Sequence, residues 1–193
     1  CCTQNGIRGG SATVHFPIWH QEIQDIIVLK NNKGTEDNRV RKLDYSIQLS
    51  ALFYQRFIDN GKITLFSPHD VPNLYESFGT ESFDELYQTY EDDESIPKTS
   101  VSAQELILDL LKERAETGRL YIMNIDHCNS HSSFTDKVEM SNLCQEITLP
   151  TKPVQHIDDE HGEIALCILS AINIGKIRDV QDLETLCDLS VRS

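Results

Sequence analysis

The amino-acid sequence predicts an α/β fold, on three observations. Strand-like and helix-like stretches alternate along the chain. Two helix starts carry capping boxes, Ser82 with Glu85 and Ser102 with Glu105. The run 163–174 places Ile164, Ala165, Leu166, Ile168 and Leu169 on both faces, as in a strand covered on both sides within a parallel sheet or barrel.

In chain order, Thr3 to Gly10 reads as a flexible glycine loop; on its residues alone it is a surface turn with a solvated Arg8. A strand-like run, Ala12 to Trp19, precedes a helical face of Ile23, Ile26 and Ile27. Residues 31–42 are polar. From Leu43 to Ile58 a stripe of Leu43, Ile47, Phe53 and Phe57 has helical spacing and stops near Gly61. A strand is expected at Ile63 to Phe66. The first capped helix groups Phe83, Leu86, Tyr87 and Tyr90 on one side, and the second groups Ala103, Leu106, Ile107, Leu110 and Leu111 before ending at Gly118. Between them, Glu91-Asp-Asp-Glu94 reads as a solvated acidic turn. Leu120 to Ile125 reads as a strand and Asn142 to Leu149 as extended chain. Residues 187–193 continue a helical pattern with no Gly or Pro stop. That open end, and an opening on Cys1-Cys2 without Met, point to a single partial domain over 1–193, cut at both ends.

With 39% hydrophobic residues, the 193-residue chain has material for a sizeable core. Its 17 Lys and Arg against 31 Asp and Glu give a net charge of −14, which disfavours general nucleic-acid and anionic-membrane binding. No apolar run is long enough to span a bilayer. Six Cys, including Cys128, Cys144, Cys167 and Cys187 at wide, irregular spacings, are too few for a disulfide scaffold, so a reducing, cytoplasmic setting is expected. His127, Cys128 and His131 lie within five residues, yet no second Cys/His pair stands nearby to complete four zinc ligands, and no metal site is expected. Trp19-His20 and Pro68-His69-Asp70 read as packing. Cys187, at helical spacing from Leu183, reads the same way.

The segment Ser141-Asn-Leu-Cys-Gln-Glu-Ile-Thr-Leu-Pro150 carries the most chemistry. In extended chain Asn142, Cys144 and Glu146 share one face, while Leu143, Gln145 and Ile147 share the other. At about 3.3 Å per residue this row of amide, thiol and carboxylate covers roughly 13 Å, comparable to a ribose with its diphosphate. The alternative is a buried structural Cys flanked by polar residues at a strand end.

The run Asn142-Leu-Cys-Gln-Glu-Ile-Thr-Leu-Pro-Thr-Lys-Pro153, followed by Gly162-Glu-Ile-Ala-Leu-Cys-Ile-Leu-Ser170, resembles the catalytic large subunit of class I ribonucleotide reductases. So do Gly6-Ile-Arg-Gly-Gly10, Pro17-Ile-Trp-His20, Leu29-Lys-Asn-Asn32, Phe66-Ser-Pro-His-Asp-Val-Pro72 and Asp126-His-Cys-Asn-Ser-His131, in the same order. The resemblance implies about half of a ten-stranded α/β barrel, with a central finger loop carrying Cys144. It implies that Cys144 forms the thiyl radical that takes the ribose 3′-hydrogen, that Glu146 takes the 3′-hydroxyl proton, and that Asn142 orients the ribose and the Glu146 carboxylate by hydrogen bonding. Asn142, Leu143, Cys144, Gln145 and Glu146 would together contact substrate. Cys167 matches one thiol of the reducing pair, whose partner in the family lies upstream; Cys1 and Cys2 are not assigned to it.

The resemblance also makes Gln4, Gly6, Arg8, Gly9 and Gly10 a specificity loop that couples a bound deoxynucleotide effector to the choice of base. It implies a ribonucleoside diphosphate substrate and a homodimer of large subunits. A separate small subunit would carry a metal and radical cofactor, with dNTP and ATP effectors and thioredoxin or glutaredoxin as reductant. No cofactor is expected on this chain itself. The rival reading is a noncatalytic assembly or binding piece of a split or inactivated reductase; retention of Asn142, Cys144, Glu146 and Cys167 favours the enzyme.

Overall fold

A computed structural model describes residues 3–192; Cys1 and Cys2 lie outside the described residues, as do the side chains of Gln4 and Arg8. The chain divides into two compact units, one running to Glu163 and one starting at Ile164.

The glycine loop is a small hairpin. β1 (Thr3–Gln4) and β2 (Arg8–Gly9) pair antiparallel. The chain reverses through Asn5 and Gly6, at φ 51° and 71°, a left-handed pair that Asn and Gly tolerate best. β3 (Thr13–Pro17) follows, then the short helix α1 (Ile23–Ile26).

The helix expected over Leu43 to Ile58 is instead a strand followed by a helix: β4 (Asp44–Leu49) and α2 (Ala51–Ile58). Leu43 and Ile47 fit either period, but Asp44-Tyr-Ser-Ile-Gln-Leu49 alternates polar and apolar, and β4 is paired on both edges. β5 (Lys62–Phe66) and β6 (Lys98–Ser102) form an antiparallel pair around α3 (Leu74–Ser77) and α4 (Phe83–Asp92). β6 and α3 have no clear sequence signal.

Only one capping box forms in part. Ser102 Oγ accepts from the Glu105 N–H at 3.3 Å at the start of α5 (Ala103–Thr117), whereas Ser82 makes no cap bond and its hydroxyl pairs with Thr80. Leu111, grouped with the core face above, is exposed. α5 ends at Gly118, φ 66°, the left-handed C-terminal glycine expected there. Glu91 belongs to α4 and is not a solvated turn residue: Arg56 grips its carboxylate at 2.5 and 2.6 Å. β7 (Leu120–Asn124) leads straight into α6 (Ile125–Ser130).

β3, β4 and β7 form a parallel sheet in the order β3-β4-β7. Tyr45, Ile47 and Leu49 of β4 join one core with Trp19, Phe53, Phe66, Phe78, Phe83 and Tyr87. The rings pack tilted or edge-on, Phe78 to Phe83 at 4.6 Å and Phe53 to Tyr87 at 5.5 Å. The fold is thus mixed α/β with a parallel sheet; no closed barrel forms among the described residues.

The strand expected over Glu163 to Ile174, most of which lies in the second unit, is absent. Glu163 makes one bridge with Lys152, and residues 164–173 form no regular element before a 3-10 turn (Ile174–Lys176) and α7 (Val180–Arg192). A strand apolar on both faces needs a partner on an edge and a layer on each face. Among its described residues the second unit contains no strand to serve as partner, and Leu166 and Ile168 are 78% and 85% exposed.

Candidate active site

The register of the parallel sheet puts Thr13 and His15 of β3 on the same face as Ser46 and Gln48 of β4 and Met123 of β7. On a sheet with one wet face these polar residues would be solvated, yet Ser46 and Gln48 are buried. The cover is the segment 139–147. Gln48 Nε2 donates to the Glu139 carbonyl, His15 Nε2–H to the Ser141 carbonyl at 3.2 Å, and Thr13 Oγ1–H to the Leu143 carbonyl at 2.9 Å. The Gln145 amide reaches the Ser46 hydroxyl. Alternate carbonyls of one stretch of chain are therefore met by side chains rising from the sheet.

After Leu143 the loop turns. The Gln145 N–H bonds the Asn142 carbonyl at 3.3 Å, and Gln145 has φ 68°. This overturns the extended reading of Asn142 to Leu149, so the strict two-residue alternation and the 13 Å row do not apply. The backbone favours the turn because Asn142 closes it: its Oδ1 accepts from the Ile147 N–H at 3.1 Å and from Ser141 Oγ at 3.2 Å. Asn142 thus holds the loop itself, a role not read from the sequence. Cys144 and Glu146 emerge exposed from the turn, while Asn142, Leu143 and Gln145 are half-buried.

Beside the loop lies a cavity of about 330 Å³ lined by Met123, Asn124, His127, Cys128, Gln145 and Thr148, among others. It opens where β7 ends, at the carboxyl edge of a parallel strand, the usual place for ligands in α/β sheets. Burial, and secondarily Asp126, push the Cys128 thiol up, so it favours the neutral form. The His127 and His131 rings pack edge to face at 5.9 Å. Among the described residues no group of three or more His, Cys, Asp or Glu converges to hold a metal ion.

Cys167 lies in the second unit, exposed, in the irregular stretch 164–173 and not on a strand. Gly6 forms the hairpin turn, and Gly9 and Gly10 are exposed beyond it. Sequence reasoning missed Thr13, His15, Ser46 and Gln48. Their only signal is a run of polar residues at alternate positions of otherwise apolar strands, which ordinarily marks a solvent face.

The fold and the site define an α/β protein with a thiol and a carboxylate on a loop laid across one face of a parallel sheet. Residues 1–193 match the family model described as ribonucleotide reductase, barrel domain, and the chain belongs to that family. It is 56% identical to the ribonucleoside-diphosphate reductase subunit alpha of Buchnera aphidicola subsp. Schizaphis graminum, 58% to that of Haemophilus influenzae and 42% to that of Enterobacteria phage T4. Each match covers 100% of this chain and 26% of the relative, so the chain spans about a quarter of the length of these curated relatives. The three-stranded parallel sheet is accordingly part of a barrel.

Proposed function

We propose that this chain is the segment of a ribonucleoside-diphosphate reductase large subunit that carries the radical cysteine. The observation behind the reading is the presentation of Cys144 and Glu146, two residues apart, at the exposed turn of one anchored loop. Removing hydrogen from an unactivated ribose C–H is beyond an ionic nucleophile. The Cys144 thiyl takes the 3′-hydrogen atom and becomes the thiol; Glu146 accepts the 3′-hydroxyl proton. One thiol of a pair protonates the 2′-hydroxyl, which leaves as water, and the other supplies the hydrogen that takes its place on the 2′-carbon. The pair gives up two electrons as it joins in a disulfide, and Glu146 returns its proton to the 3′-oxygen. Cys167 is one of that pair, its partner belonging to another part of the complete protein. The hydrogen held on Cys144 then returns to the 3′-carbon. Asn142, whose oxygen is engaged within the loop, orients the sugar through its amide N–H groups.

In the same reading the β1–β2 hairpin, with Gln4, Arg8, Gly9 and Gly10, reads the substrate base in response to a deoxynucleotide effector. The complete protein works as a homodimer with a small radical-generating subunit that holds the metal and radical cofactor. Thioredoxin or glutaredoxin restores the dithiol. The test is deoxynucleotide formation by the complete protein with a ribonucleoside diphosphate, effector, reductant and small subunit. Wild type should turn over, and Glu146→Gln should lose about 100-fold or more in kcat with little change in KM. Absence of reduction by the wild type, or an unimpaired Glu146→Gln, would overturn the reading.

A further inference from the structure

Carbonyls 139, 141 and 143 are received in turn by Gln48, His15 and Thr13, the pattern in which a strand would offer its N–H groups to an extended neighbour. Here the donors are side chains standing on the sheet face, so the loop crosses that face instead of extending the sheet. The last anchored carbonyl, on Leu143, immediately precedes Cys144. Resting on the function proposed above, we infer that Thr13 and His15 are positioning residues: they fix where the Cys144 sulfur stands over the sheet, and so its alignment with the hydrogen it takes.

Two further observations support this assignment. A carbonyl only accepts, so His15 must carry its proton on Nε2, and its Nδ1 is buried with no hydrogen-bond partner among the described residues. Gln48 Oε1 is likewise buried and unpartnered among them. Leaving buried acceptors unmet is unfavourable, so a residue chosen for packing alone would be apolar at either position. What His15 and Gln48 gain in return is the grip on the loop. A hydrogen transfer is sensitive to placement, and a loop displaced by about 1 Å can lose on the order of 100-fold in rate.

The test uses the complete protein with its small subunit and compares Thr13→Val and His15→Leu, which remove the donors, with Thr13→Ser and His15→Gln, which keep them. Amide hydrogen exchange is followed across 139–147 together with kcat and KM. Removal should speed exchange of the Gln145 and Ile147 amides about tenfold, leave exchange in β3 and β4 unchanged, and lower kcat about tenfold or more at constant KM. The conservative variants should restore both. Thr13→Val keeps volume and branching and answers the question should His15→Leu fail to fold. Unchanged exchange in 139–147, exchange raised equally throughout the sheet, or conservative variants no better than removals would overturn the inference. A loosened loop with full turnover would also overturn it, provided Cys144→Ser is inactive. If Cys144→Ser turns over, the chemistry assigned to Cys144 is wrong, and the anchoring is then decided by the exchange data alone.

Discussion

Tyr87 shows how much one hydroxyl holds in this core. It donates to the Thr64 carbonyl at 2.6 Å and accepts the Thr64 N–H at 2.8 Å, completing the edge of β5 that faces away from β6. Burial, reinforced by Glu91, pushes its phenol far above the ordinary value, so the donor stays protonated. Tyr87→Phe leaves both Thr64 groups buried and unmet, and should destabilise by about 1–3 kcal/mol. Calorimetry of the complete protein would register this as a lowered Tm. His15 gives a prediction in pH. Burial holds its imidazole below the usual range, opposed by the Ser141 carbonyl, and burial lowers His20 as well. The unfolded chain therefore binds protons that the folded chain refuses, so stability should fall as pH drops below about 6.5 and level off once the folded histidines also protonate. His15→Gln should flatten that slope in Tm measured from pH 7.5 to 5; an unchanged slope would show that His15 is not the group responsible.

At the scale of elements, α2 is tied to α4 by Arg56. Its guanidinium holds Glu91 in a two-pronged pair, donates to the Lys62 carbonyl at 2.9 Å and lies 5.0 Å from the centre of the Tyr87 ring. Arg56→Met strands a largely buried carboxylate and should cost about 3 kcal/mol. The double variant with Glu91→Gln should recover part of this loss, as denaturant or thermal unfolding would show. Some of these elements were legible in the sequence because their signals are local. The apolar face of α4, the stop of α5 at Gly118 and the strands β3, β5 and β7 follow from period and punctuation. β4 was misread because Leu43 and Ile47 fit two periods, and only pairing with β3 and β7 decides between them. The seating of the turn at Asn142–Gln145 was also hidden: Asn142 closes it locally, but the bonds that hold it on the sheet reach back more than 90 residues, to Thr13, His15, Ser46 and Gln48. Cys144 and Glu146, in contrast, were singled out from a contiguous motif, which needs no knowledge of the fold, and their roles rest on the proposed function.

At the scale of the whole molecule, the apolar side chains of 164–169 and the outer residues of α7, such as Leu189, are left largely in water. Residues 1–193 on their own should therefore self-associate, which light scattering across a concentration series would detect as a rising mean mass. They should also fail to reduce nucleotides, since they span 26% of the relatives' length and offer Cys167 no assigned partner thiol. The proposed chemistry requires that the Cys144 sulfur, and no other group, remove the ribose hydrogen. Its most direct test is Cys144→Ser in the complete protein, with substrate binding measured by equilibrium dialysis beside deoxynucleotide formation. A ribonucleoside diphosphate should bind as in wild type, and no product should be detectable. Product formed at a rate comparable to wild type would contradict that chemistry.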